Sequence, residues 1–145
     1  MLEVERMVKI LAGGMGTGKT KKMIQMANQA AKTSDGNIIF IDDDNRNMFE
    51  LDHAVRFINL DDYNINNAMM LYGFVCGLIS SNYDIDTIFV DGLIYLNEMK
   101  DDQLEKVIDV FSEVSEAHDV TFVICFNHDG PLPEHLQELE IKKAE

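Results

Sequence analysis

The sequence predicts an α/β fold, with a mostly parallel central sheet and helices on both faces. Two observations lead to it. Short apolar runs alternate with longer stretches whose apolar residues recur at helical spacing. The run at 38–41 is apolar at every position and rich in β-branched residues, the pattern of a strand covered on both sides. The 145 residues suit one domain, 1–145, with a full core.

The first run, Val8, Ile10 and Leu11 broken by Lys9, suits a strand and leads into Gly13-Gly14-Met15-Gly16-Thr17-Gly18-Lys19-Thr20. Gly13, Gly18, Lys19 and Thr20 fill every fixed position of G-x-x-x-x-G-K-[ST], and the chemistry of that pattern is phosphate binding. Its glycines let backbone N–H groups curl around phosphate oxygens in conformations a side chain would forbid. Lys19 supplies a mobile positive charge, the Thr20 hydroxyl suits Mg2+, and Lys21 follows at the helix start. Met23, Met26, Ala27, Ala30 and Ala31 then recur at helical spacing, so a helix points its positive end at the same anion. Strand, glycine loop, helix is the order this mechanism needs.

Ser34-Asp35-Gly36-Asn37 is a turn cluster, and the strand after it ends in Asp42-Asp43-Asp44. Ligands of open α/β sheets bind beyond the carboxyl ends of the strands, so these acids read either as a solvated cap or as part of a site. Residues 48–55 have a mixed pattern that fits a short helix or a loop, and 57–60 read as a small edge strand. Asn64 or Asn66 is placed to cap the next helix, whose stripe is Ala68, Leu71, Tyr72, Val75, Leu78 and Ile79. Gly73 and Gly77 on that helix are expected to pack closely against the sheet.

The run 87–90 ends in Asp91, an apolar strand with a carboxylate placed to hold Mg2+ opposite Thr20. Asp101 and Asp102 open a further helix, where acids answer the helix dipole. The last central strand, 120–126, ends in Asn127-His128-Asp129-Gly130, and a short helix is expected from Glu134 to about Ile141.

The bulk composition excludes several classes. A net charge of −14 with three arginines argues against direct binding of DNA or RNA, which needs clustered bases. A basic protein partner suits the charge better, the basic residues being scattered apart from Lys19, Lys21 and Lys22 and the tail pair Lys142 and Lys143. Cys76 and Cys125 lie in apolar runs without metal-ligand spacing and read as buried free thiols. Met1 to Arg6 carry acids where a secretion signal would carry bases, and no run is long enough to span a membrane. A cytoplasmic location is expected.

This order of elements resembles the P-loop NTPase superfamily, and within it a minimal RecA-like ATPase core, over residues 8–130. The resemblance implies a three-layer fold and ATP with Mg2+ as ligands. Residues 40–44 are similar to the strand ending in Asp-x-Glu, which implies that Asp44 occupies the position of the water-orienting Glu. Asp91-Gly92-Leu93 is similar to the family's Asp-Ser-Leu, and Asn127-His128 to its Asn-Gln, which implies that His128 reads the γ-phosphate. The departures are Asp for Glu at 44, Gly for Ser at 92 and His for Gln at 128.

The loop also resembles that of thymidine kinases, but two separated cysteines cannot build their four-cysteine zinc ribbon. The guanine motif Asn-Lys-x-Asp is missing at Asn127-His128-Asp129. Three readings follow. The first is an ATPase in which Lys19 holds phosphates, Thr20 and Asp91 hold Mg2+, and Asp44 or Asp43 positions water. An arginine finger from a neighbouring subunit of a homo-oligomer would complete it, with Arg46 or Arg56 as candidates. The second is a nucleotide-binding switch or scaffold with little turnover, read by a partner. The third is a small-molecule or nucleoside kinase.

Overall fold

The structure, a computed structural model, describes residues 8–141. The acidic N-terminal residues and the Lys142–Lys143 pair lie outside the described residues. Five strands, β1 (Val8–Gly13), β2 (Asn37–Asp42), β3 (Val55–Asn59), β4 (Ile85–Val90) and β5 (Thr121–Asn127), form one parallel sheet in the order β1-β5-β4-β2-β3. The helices are α1 (Lys19–Thr33), α2 (Ala68–Ser81), α3 (Ile94–Asn97), α4 (Asp101–His118) and α5 (Glu134–Gln137).

Side chains alternate across each strand, and both sets are buried. Ile10, Ile41, Val90 and Ile124 face a core completed by α2, α3, α4 and α5. Leu11, Phe40, Phe89 and Val123 face the other core, under α1. This is the three-layer α/β architecture that the continuous apolar runs predict. Aromatic rings brace both layers. Phe40 stacks on Phe57 and Phe89 with ring centroids 6.4 and 6.0 Å apart, and Phe111 meets Phe122 edge-on at 5.1 Å.

Several local expectations change. Residues 48–50 form a single 3-10 turn, and the strand after it begins at Val55 on the sheet edge. The cap of α2 is Asn67, whose Oδ1 accepts the Met70 N–H at 2.9 Å. Gly73 and Gly77 do not pack against the sheet. They lie on the side of α2 opposite Leu71 and Val75, with no atom of the described residues within 4 Å of where a Cβ would stand. The helix after Pro133 is one turn long, because the chain then comes back alongside β1. The Ile10 N–H donates to the Leu139 carbonyl at 2.9 Å, and the Ile141 N–H donates to the Ile10 carbonyl at 2.7 Å. Cys125 is buried as expected, whereas Cys76 is half-buried; both thiols are free.

The strand order matters most for the site. β5 lies between β1 and β4, so the glycine loop and Asp91 face each other across the end of one intervening strand.

Candidate nucleotide site

The loop after β1 turns through three glycines with positive φ: Gly13 at 155°, Gly16 at 79° and Gly18 at 83°. At Gly16 and Gly18 the backbone is left-handed, so any side chain would be strained there, and Gly18 serves as the N-cap of α1. The loop is tied inward. The Thr17 hydroxyl donates to the Gly14 carbonyl at 2.8 Å, and the Lys19 ammonium donates to the same carbonyl at 2.7 Å. The His128 N–H donates to the Gly13 carbonyl at 2.9 Å and so joins the loop to the end of β5.

Lys19 is buried, and the first turn of α1 carries no acid but Lys19, Lys21 and Lys22. Cations at the positive end of a helix oppose its dipole. An anion at the loop would reverse that cost, since the free N–H groups, the dipole and the lysines all favour it.

A cavity of about 520 Å³ opens beside the loop. Met15, Gly16, Gly18, Lys19, Thr20 and Lys21 line it from the loop and α1. Asp91, Gly92, Cys125, Phe126 and Asn127 line it from the ends of β4 and β5, and Arg46 and Asn97 complete it. Gly13, Gly14 and Thr17 shape the loop without lining the cavity.

Asp91 is 4% exposed, and its Oδ2 has no hydrogen-bond partner among the described residues. A buried carboxylate oxygen without a partner costs several kcal/mol, on the order of 2–7, unless a cation or donor reaches it. Hard oxygen donors, the Thr20 hydroxyl and the Asp91 carboxylate, line the same cavity. The residues present therefore fit Mg2+.

The three acids at the end of β2 separate in role. Their carboxylates come within 4.8 Å of one another, but none of the three lines the cavity. Asp42 is buried beside Asp91, and burial first, then the Asp91 charge, pushes its carboxyl up to about 8. Burial also raises Asp43, whose neighbour is the Asp42 carboxyl. Asp44 points the other way. Its Oδ2 accepts from Arg46 Nε at 3.0 Å and pairs with Nη2 at 3.0 Å, and these bonds hold it below the usual carboxylate range.

His128 sits in an adjoining polar pocket of about 320 Å³, which shares Asn97 and Asn127 with the cavity. Nε2 lies 2.9 Å from Asp101 Oδ1, and Nδ1 lies 3.2 Å from the Gly130 carbonyl. Both partners are acceptors, so only a ring protonated on both nitrogens satisfies them together. Burial alone would lower His128, but the Asp101 bond, the Gly130 carbonyl and the nearby acids outweigh it and raise the ring above its ordinary value. Arg56 is exposed on β3, at the far edge of the sheet from the loop.

Two lining residues, Asn97 and Cys125, lie outside the site residues that the sequence marks. Asn97 accepts the Asn127 N–H at 2.7 Å and so ties α3 to β5; no pattern in the sequence marks it. Cys125 lies near Asp91 and Lys19, its thiol pushed up by burial and by the Asp91 charge. Asp42 belongs to the acidic run that the sequence marks, and its place as the last residue of β2 beside β4 is what separates it from Asp43 and Asp44.

No protein-family profile matches the chain, and no curated protein matches it. Among solved structures it is similar to the pCW3 conjugation coupling protein TcpA, in monomer form with ATPgS, at 15% identity and a TM-score of 0.47. That match covers 88% of this chain and 44% of the other, so this chain spans less than half the length of that structure. Among the described residues no helix is long and apolar enough to cross a membrane.

Proposed function

We propose that the chain binds Mg-ATP in a RecA-like P-loop site and hydrolyses it. One observation carries this reading. A single cavity has the glycine loop and the N-terminus of α1 on one side, and on the other the buried Asp91 oxygen that lacks a partner. Bound there, Mg2+ would neutralise charge on the phosphates. Thr20 and Asp91 are the residues that would hold it. Lys19, whose ammonium donates to the Gly14 carbonyl, has a better acceptor in a phosphate oxygen. Asp43 or Asp44 is the carboxylate assigned to orient water, and His128 the side chain assigned to respond to the γ-phosphate. The choice of adenine rests on the family resemblance.

A second reading, a nucleotide-dependent switch with little turnover, has its own support. Asp44 is engaged by Arg46 and His128 by Asp101, and neither lines the cavity. Binding and turnover are therefore tested separately. Nucleotide affinity and phosphate release are measured with and without a chelator, for the wild type and Lys19→Ala. The ATPase reading expects Mg-dependent release that falls by about 100-fold or more in Lys19→Ala. Tight Mg-dependent binding with no release at high protein concentration leaves the switch. Absence of binding sinks both, and transfer of γ-phosphate to a metabolite in place of water points to a kinase.

A further inference from the structure

Among the long helices, α2 alone carries no charged side chain along its 14 residues, yet of these only Leu71 and Val75 are fully buried. A helix that is apolar on every side is normally covered on every side. Here the outward side is bare among the described residues. Met69 is 82% exposed, and one and two turns further on Gly73 and Gly77 leave open space above the backbone. An exposed glycine inside a helix costs about 1 kcal/mol relative to Ala, so two of them are a cost without return in an isolated chain. They do allow another helix to approach closely. Beside this strip α2 and α4 enclose a groove of about 430 Å³, whose apolar lining includes Met69, Tyr72 and Val110.

The charges of the groove are self-complementary. Lys106 and Glu113 both line it, both are exposed, and seven residues of α4 separate them by about 10 Å along the helix axis. Val110 lies between them. A two-fold axis near Val110, with α4 antiparallel to its copy, brings Lys106 of one protomer to the partner's Glu113. The same operation makes the reciprocal pair. Tyr72 meets Phe111 edge-on with ring centroids 6.4 Å apart, which sets Gly73 at about the height of that axis. The open strip of α2 therefore faces its own copy.

Net charge narrows the choice of occupant. Two copies of a chain with net charge −14 repel, and contact through most of the surface sets acid against acid. The α2 strip brings no acids together, Lys106 and Glu113 turn the adjacent charges into attraction, and Asp109, the exposed acid of α4 nearest the axis, is paired with His135 of its own chain at 3.1 Å. A basic partner protein gains nothing from a helix without acids. We propose that the α2–α4 face is a homodimer interface, in which a second copy packs antiparallel across α2 with a Lys106–Glu113 pair at each end.

Sedimentation velocity on the full chain, over a range of concentrations, tests this. The wild type is expected to reach twice its 16.5 kDa mass, with a Kd on the order of 10 μM. Gly73→Glu, placed in open space, should leave the circular dichroism of the monomer unchanged and abolish the dimer. Lys106→Glu and Glu113→Lys should each weaken it about tenfold, and the two together should restore it. A chain that stays monomeric overturns the proposal, and so does a monomer whose α2 amides prove covered by the chain's own terminal residues. A dimer that survives Gly73→Glu, or charge swaps that fail to restore each other, overturns it equally.

Discussion

Asp42 and Asp91 stand as neighbouring buried carboxylates at the ends of adjacent strands, held in register by the Asp91 N–H bond to the Ile41 carbonyl at 2.9 Å. Burial and the Asp91 charge raise Asp42 from 3.8 to about 8. The folded chain therefore keeps a proton that the unfolded chain gives up. Below about pH 4 the contribution to stability is intact; it falls as pH rises and is lost by about pH 8. Asp42→Asn should remove this slope. The gap between urea midpoints taken at about pH 5 and about pH 8 should narrow in the variant to the smaller part that His128 contributes, and the variant should gain on the wild type at the higher pH. Parallel pH profiles for the two proteins would remove Asp42 as the source.

Asp44 and Arg46 make the next prediction. Arg46 lines the cavity, and Asp44 holds its guanidinium by two contacts of 3.0 Å. If Asp44 acts by holding Arg46, Asp44→Asn and Arg46→Ala should each weaken nucleotide affinity, by about two- to fivefold for so exposed a pair, and the double variant should be no worse than Arg46→Ala. A loss of phosphate release in Asp44→Asn at unchanged affinity would instead assign Asp44 to the attacking water. Titration of a fluorescent nucleotide and a phosphate-release assay on the same samples separate the two.

His128 titrates in the opposite sense from a carboxylate paired with a cation. Its folded value is raised above 6.5, so the stability from its bonds to Asp101 and Gly130 is fully present below about pH 6.5 and is lost as pH rises through the raised value. The Asp101 half of the pair is exposed and screened by solvent, so the scale is about 1 kcal/mol or less. Asp101→Asn should remove most of it and lower the NMR titration midpoint of His128. A midpoint that does not move would mean that Asp101 leaves the ring's charge unaffected.

The sheet was legible because strands buried on both faces must be apolar throughout, as the stretch at 38–41 is, and the loop because only Gly tolerates its left-handed turns. The roles within the acidic run were less legible. Asp42, Asp43 and Asp44 have the same chemistry, and only the end of β2 beside β4 buries the first and leaves the third to Arg46. The spacing does mark the buried side of α2, with Leu71 and Val75 on it, and Gly73 and Gly77 fall opposite that stripe; the expectation that they pack against the sheet ignored the stripe. Asn97 was invisible because it acts through the backbone of Asn127, which the sequence does not bring near it.

Gly92 gives the sharpest test of the strand ends. Its φ is 76°, and a Cβ built there would fall on the Asp42 carboxylate and lie 3.2 Å from Asp43 Oδ1. The space that a side chain would fill is thus occupied by Asp42 itself. Gly92→Ser should cost about 1–3 kcal/mol, part from the left-handed backbone and part from displacing Asp42. The two parts can be separated. In an Asp42→Ala background the steric part should vanish and the backbone part, about 1 kcal/mol, should remain. Thermal denaturation of the four proteins closes that cycle. A Gly92→Ser cost that is the same in both backgrounds would show that the Asp42 carboxylate does not fill the space above Gly92.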